Sequence, residues 1–372
     1  MLFPRTIGLL LVVAALLLQG CASNIGPSSV RRERPNYNRE IVQSQDEQML
    51  LNLVRLRYRD TPLFVELTSV VTSYAFDQNL SVGAKIFDSK VGDEYTAGAG
   101  VLIGNRPTVT YLPLQGEEFA IRMLSPLPLD SIMLFSQTGW SVERLMLLCV
   151  QRINELENAA SATGPTPIVK PNFEAFRDLA TRLRRLSNAG LFGMNWDFGE
   201  DPSMQSVYHM KFWLKTPADP SDPLAADIAA VRQVLQIDPG MEEYKLTPFP
   251  HKRRPDEVGM RGRSLLGVLY FLSQSVEAPK EHADAGLVTV TLDRDGRPFD
   301  WGVLLKDTMR IRGSKTRPTN AFVAVTHRGW WFYIADDDLA SKSSLSLLNF
   351  LVSLQSASGK GKSPVLTLPV GR

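Results

Sequence analysis

The sequence is poor in the residues that make a functional site easy to read. It has two cysteines, Cys21 and Cys149, which excludes a framework of several disulfides. Its four histidines are His209, His251, His282 and His327, and none stands in a His-Glu-x-x-His pair or at a zinc-site spacing with cysteine. No cofactor motif and no metal centre is therefore expected. Charge of one sign is also missing: 41 Lys and Arg against 39 Asp and Glu leave +2. Nucleic-acid binders are usually strongly basic, so no nucleic acid is expected as a partner. No unit of about 20–50 residues repeats, which excludes solenoids and propellers. What is present is an ordinary globular composition, 44% hydrophobic and 22% charged, over 372 residues. At about 150 residues per domain this suggests two domains with real cores.

The N-terminus is the most informative segment. Arg5 is followed by the apolar run Ile7–Leu18, the core of a signal peptide and shorter than the roughly 20 residues that span a bilayer. The run closes on Leu18-Gln19-Gly20-Cys21, which resembles the lipobox of bacterial lipoproteins. That resemblance implies removal of residues 1–20, lipidation of Cys21 by acyl chains such as palmitate, and an anchored mature chain. Each buried methylene adds about 0.8 kcal/mol, so several chains hold durably. Ala22, where an Asp would retain such a protein at the inner membrane, implies delivery to the outer membrane, and a periplasm-facing chain is expected. Cys149, set in Leu145-Met-Leu-Leu-Cys-Val150, reads as buried and inert.

The fold class expected is α+β, with mainly antiparallel sheets and packed helices. Residues 21–38, rich in Ser, Asn, Pro and Arg, read as the acylated Cys and a flexible tether. A first domain is expected at 39–158. It would comprise a helix capped by Asn38 and running to Tyr58, a four-stranded meander over Leu63–Leu112, and helices at Gly116–Leu124, Asp130–Gln137 and Ser141–Glu157. In the meander, Asp77-Gln-Asn79, Asp88–Glu94 and Gly104-Asn-Arg106 read as turns. Ala159–Pro171 reads as a linker, and a second α+β domain is expected at 172–372. Its features include a helix over Asn172–Asn188 whose Arg177, Arg182, Arg184 and Arg185 form a solvated face. Strands are expected at Leu287–Leu292, Phe299–Leu305, Ala321–Thr326 and Trp330–Ile334, the last two joined by the three-residue loop His327-Arg-Gly329.

Catalytic signals are near-misses. Gly98-Ala-Gly-Val-Leu-Ile-Gly104 lacks the third glycine of a dinucleotide loop, and Gly262-Arg-Ser264-Leu-Leu-Gly267 is one residue too long for a nucleophile elbow. Glu281-His-Ala-Asp284 reads as a solvated loop. Asp336, Asp337 and Asp338 are weak cation candidates, better read as a helix cap. Trp330, Trp331 and Tyr333 mark an interaction face, since strand alternation sends some of these rings outward. No residue is assigned a catalytic role, and an enzyme is less expected than a binding protein.

Asp46–Tyr58, Arg106–Gly116 and Arg328–Ile334 resemble segments of uncharacterised envelope proteins of Gram-negative bacteria, a resemblance that implies no activity. The leading expectation is a lipid-anchored outer-membrane scaffold or interaction protein that binds an unknown envelope protein or polymer. One alternative is an oligomeric export component that inserts the 63–112 segment into the outer membrane. Curli-type pores resemble this in architecture, building barrels from the hairpins of many copies, and Lys85 and Asp88 would then face a lumen or an interface. A periplasmic hydrolase is the other alternative.

Overall fold

The structure, a computed structural model, describes residues 27–85, 94–165, 167–199, 207–219, 221–248, 254–356 and 366–369. The signal segment, Cys21, Ala22 and His251 lie outside the described residues. The fold is α+β: helices accompany a six-stranded mixed sheet and two three-stranded antiparallel sheets. The chain divides into two compact units, Met1–Pro62 with Arg122–Ser353, and Leu63–Ile121 with Leu354–Arg372.

The larger unit begins with α1 (Pro27–Arg57), which buries Met49, Leu50, Leu53, Val54 and Leu56. Helix therefore replaces the coil expected up to Asn38. Pro27 sits at the first helical position, where its fixed φ suits the helix, and the Arg/Glu run that follows has good helix propensity. Pro35 lies within the helix and removes one backbone donor there. The short helices α2 (Glu117–Leu124), α3 (Leu129–Gln137) and α4 (Val142–Cys149) follow after the smaller unit's strands. Ser141 makes no side-chain cap bond to α4, and Trp140 stacks edge-on against Phe135 and Phe350.

The expected helix Ser141–Glu157 stops at Cys149, and a buried side chain explains why. Asn158 Nδ2 donates to the carbonyls of Leu147 (2.9 Å) and Val150 (2.6 Å) at the helix end, and to that of Met146 (3.1 Å), which also accepts from Val150 N–H. Val150–Ile153 then runs on as a strand of the six-stranded sheet, and Leu156–Glu157 pairs back on it as the edge strand. Ala159–Pro171 lies inside the larger unit as a 3-10 turn and a short loop. In α5 (Glu174–Asn188), Phe176, Leu179, Leu183 and Leu186 are buried on one stripe. Its arginines are partnered rather than only solvated: Arg182 and Arg185 both meet Asp227 (2.5 and 2.7 Å), Arg184 meets Glu143, and Arg177 donates to the Val303 carbonyl. Asp227 belongs to α6 (Pro223–Leu235), whose N-cap Asp222 accepts from Leu224 N–H.

The six-stranded sheet also takes up Phe192–Gly199, Val207–Leu214, Glu243–Thr247 and Glu257–Gly262; the last two run parallel and the other pairs antiparallel. Ser264 caps α7 (Leu265–Ser273), an apolar core helix, by accepting from Gly267 N–H at 3.1 Å. The strand expected at Phe299–Leu305 is instead a turn into α9 (Gly302–Leu305), where Asp300 accepts from Gly302 N–H; α8 (Lys280–Asp284) precedes it. Leu287–Leu292 makes only isolated bridges, through Leu292. Ala321–His327 and Trp330–Ala335 form a hairpin closed by two residues, Arg328 (φ +49°) and Gly329 (φ +80°), both in the left-handed region that such a tight turn requires. Arg312–Ser314 completes that sheet, and α10 (Leu339–Ser356) follows.

The smaller unit is built on two strands, β1 (Val65–Lys85) and β2 (Glu94–Pro113). They pair antiparallel along their whole length, from Val65↔Pro113 to Lys85↔Glu94, with one bulge at Thr68. The four-stranded meander is thus one long hairpin. Asp77-Gln-Asn79 and Gly104-Asn-Arg106, expected as turns, lie within the strands, because continuous pairing satisfies backbone groups that local turn propensity would otherwise claim. A short C-terminal strand, Leu366–Pro369, pairs antiparallel with β2 at Thr108–Tyr111.

Candidate functional site

Register gives the hairpin its chemistry. Beyond the Thr68 bulge, the even-numbered residues from Val70 to Ala84 share a face with the odd-numbered residues from Tyr95 to Tyr111. Apart from Thr72, Gln78 and Asn105, that face consists of apolar and aromatic residues and proline, and it carries no charge. Glu66, Asp77, Lys85, Glu94 and Arg106, which are all the charged residues of β1 and β2, fall on the other face, among Ser, Thr, Gly, Ala and Asn and the three larger apolar residues Val71, Leu102 and Leu112. Tyr95 and Tyr111 stand at the two ends of the apolar face. The sixteen steps between them span about 53 Å at ~3.3 Å per residue, or about 37 Å of depth if tilted by ~45°. Within this unit the described residues place no helix layer on the hairpin, and only Leu366–Pro369 extends the sheet. At its foot, Leu114 N–H donates to the Phe64 carbonyl and Phe64 packs on Phe119.

A second concentration of chemistry lies in the larger unit. The Tyr58 hydroxyl is hydrogen-bonded to His282 Nδ1 at 2.7 Å, and the Tyr58 ring packs edge-on against His282, His327 and Phe332. Asp60 Oδ2 lies 3.1 Å from His327 Nε2, an ion-pair separation without the alignment of a hydrogen bond, and both Asp60 oxygens accept from Arg328 at 3.2 Å. Burial lowers the His327 pKa below the ordinary histidine value; Asp60 opposes the shift, and Arg328 and Arg55 add to it. Burial pushes the Tyr58 hydroxyl up to about 12 against the opposing pull of Arg57 and Arg328. No pattern in the sequence pointed to this cluster, because its members come from the end of α1, from α8 and from the hairpin that Arg328 and Gly329 close. The local signal that existed, Glu281-His-Ala-Asp284, reads as solvated; in the structure it forms α8 with His282 buried.

A cavity of about 550 Å³ opens nearby, lined in part by Arg57, Gln274, Glu277, Asp300, Trp301 and Arg310. Its polar groups are largely engaged. Arg57 donates to the Thr289 carbonyl, Glu277 accepts from Arg310 at 2.6 Å, and Asp300 holds Gly302 N–H. No nucleophile is paired with a base there among the described residues.

Of the residues singled out in the sequence, Cys21 lies outside the described residues. Cys149 is fully buried, and desolvation pushes its thiol up to about 12. Arg263 beside it is buried as well; it stacks 3.9 Å from the Phe271 ring and donates to the Asn158 carbonyl. Asp338 caps α10 through Ser341 (N–H at 3.0 Å, hydroxyl at 2.7 Å), and Asp336 pairs with Lys342 at 2.7 Å; Asp337, between them, is exposed. Trp331 and Tyr333 alternate with buried Phe332 and Ile334, and Arg317 lies over Trp331. Trp330 departs from that outward pair: its indole donates to Glu281 at 2.8 Å and its ring lies against His282. Among the described residues no helix is long and apolar enough to cross a membrane. No family model, curated protein or solved structure matches this chain.

Proposed function

We propose that this chain is a lipid-anchored outer-membrane protein that works as several copies, each contributing the β1–β2 hairpin to a shared membrane β-barrel of an export or secretion device. The observation that carries the reading is the separation of charge by register: every charged residue of the two strands is on one face, and the opposite face is uncharged between two tyrosines. Transmembrane barrels have this design, with an apolar band bounded by aromatic girdles on the lipid side and a polar interior. The depth of about 37 Å suits a hydrocarbon layer of ~30 Å with its interfaces. A lone hairpin is at best marginally stable in water, so a face of this length calls for a cover, and lipid supplies one. Acylation of Cys21 would hold the copies at the bilayer where they assemble.

Light scattering of the acylated, detergent-extracted protein, with the detergent contribution subtracted, tests the reading. A ring-sized assembly that also releases a small dye from vesicles is expected. A monomer or dimer that leaves the vesicles sealed would overturn it.

A scaffold role without insertion has one observation in its favour, the outward pair Trp331 and Tyr333 with Arg317 over the indole, a cation–aromatic surface suited to an envelope partner. Under that reading Trp331→Ala abolishes crosslinking to the partner, while Phe76→Asp in the hairpin has no effect on localisation.

A further inference from the structure

Among the described residues, both long edges of the hairpin are open for most of their length, and their register selects the way copies join. In the sheet order, β1 is an end strand, and Leu366–Pro369 covers β2 only at Thr108–Tyr111. The Leu114-to-Phe64 bond at the foot makes the even-numbered residues of β2 the ones hydrogen-bonded to β1, so the odd-numbered ones offer backbone groups to the open edge. Pro107 is odd-numbered and has no N–H to offer, which together with Leu366–Pro369 ends the usable edge at the foot. What remains, from Glu94 to Arg106, is about 40 Å of strand, or about 30 Å of depth when tilted by ~40°.

Closing such hairpins into a barrel tilted by ~35–45° shifts each copy along the next by about 7–10 Å, and the right-handed twist of β-structure fixes the direction. The shift must be an even number of residues, because an odd one would exchange the two faces. Within one chain Asp77 pairs with Leu102 and Ser73 with Arg106, which holds the two charges four residues out of register. With the apolar face outward, a shift of two sets Asp77 opposite Gly104 of the partner subunit and diagonal to the partner's Arg106. A shift of four, about 13 Å and so beyond that range, would set it directly opposite the partner's Arg106.

We infer that copies join by antiparallel pairing of the β1 edge with the β2 edge of a second copy, in the register that brings Asp77 beside Arg106 of the partner subunit. This rests on the shared-barrel reading and names its contact. Opposite charges on neighbouring strands favour the pairing, and a register shifted the other way moves them further apart. The contact is heterologous, so it propagates around a ring until it closes.

Disulfide trapping in the acylated full-length protein tests the contact. At least one of the pairs Asp77→Cys with Gly104→Cys and Asp77→Cys with Arg106→Cys is expected to give a ladder of disulfide-linked multimers under oxidation, the first for a shift of two and the second for a shift of four. Asp77→Cys with Leu102→Cys is the control for an intact hairpin and is expected to close within one chain. Buried Cys149 does not compete. Charge reversal gives an independent measure: Asp77→Arg and Arg106→Asp each reduce the assembled fraction, about tenfold or more, and the double reversal restores most of it. Assemblies of ring size that give no ladder with either intermolecular pair would overturn the inference and leave the barrel reading standing. Protein that stays monomeric in light scattering, with the control disulfide formed, would overturn both.

Discussion

His327 shows how a single half-buried side chain ties stability to pH in this chain. Its pKa is lowered in the folded state, chiefly by burial, so below the ordinary histidine value of about 6.5 the unfolded chain takes up a proton more readily than the folded one. The stability that neutral His327 contributes is present above that value and is lost as pH falls through the lowered folded pKa. Thermal melts at pH 7.5 and pH 5.5 are expected to show a decrease at acid pH that His327→Gln reduces; an unchanged pH response in the variant would contradict this. Gly262 makes a different kind of residue-scale prediction. A Cβ there would meet the Leu127 carbonyl, a backbone atom that cannot swing aside, so Gly262→Ala is expected to cost about 2–3 kcal/mol in denaturant unfolding.

At the scale of elements, Asn158 decides where α4 ends. Asn158→Ala removes a buried side-chain donor from three carbonyls, of which only Met146 is seen to keep another bond, from Val150 N–H, and is expected to destabilise the fold by about 2–4 kcal/mol, whereas a surface asparagine costs a few tenths. That contact also explains a misreading from sequence. The pattern from Ser141 to Glu157 is helical in period, and only a side chain folding back from residue 158 cuts it short. Elements fixed by local chemistry were legible: Asp222 and Ser264 both cap their helices, and the apolar stripe of α5 is buried as its spacing requires. The alternation of β1 and β2 was legible too, but their continuity was not. Asp, Asn and Gly at 77–79 and 104–106 carry turn propensity, and a partner strand paired through both segments overrides it. The cluster of Tyr58, Asp60, His282 and His327 was illegible for a further reason: more than two hundred residues separate Tyr58 and Asp60 from the two histidines, and no local pattern links them.

At the scale of the whole molecule, the proposed membrane barrel requires that the two faces of the hairpin meet different solvents. A charge on the apolar face would meet hydrocarbon in every copy, at about 2–4 kcal/mol near mid-depth for Lys or Arg and somewhat less for Asp, while the same charge on the polar face would not. Phe76→Asp is therefore expected to abolish insertion, and Ala75→Asp, one residue away on the polar face, to preserve it. The most direct measurement is a scan of single cysteines from Val70 to Ala84, each carrying an environment-sensitive fluorophore, in acylated protein reconstituted into vesicles. The account predicts blue-shifted emission at even-numbered positions, water-like emission at odd-numbered ones, and loss of the alternation when the vesicles are omitted. Emission that does not alternate, or that is the same with and without lipid, would contradict it.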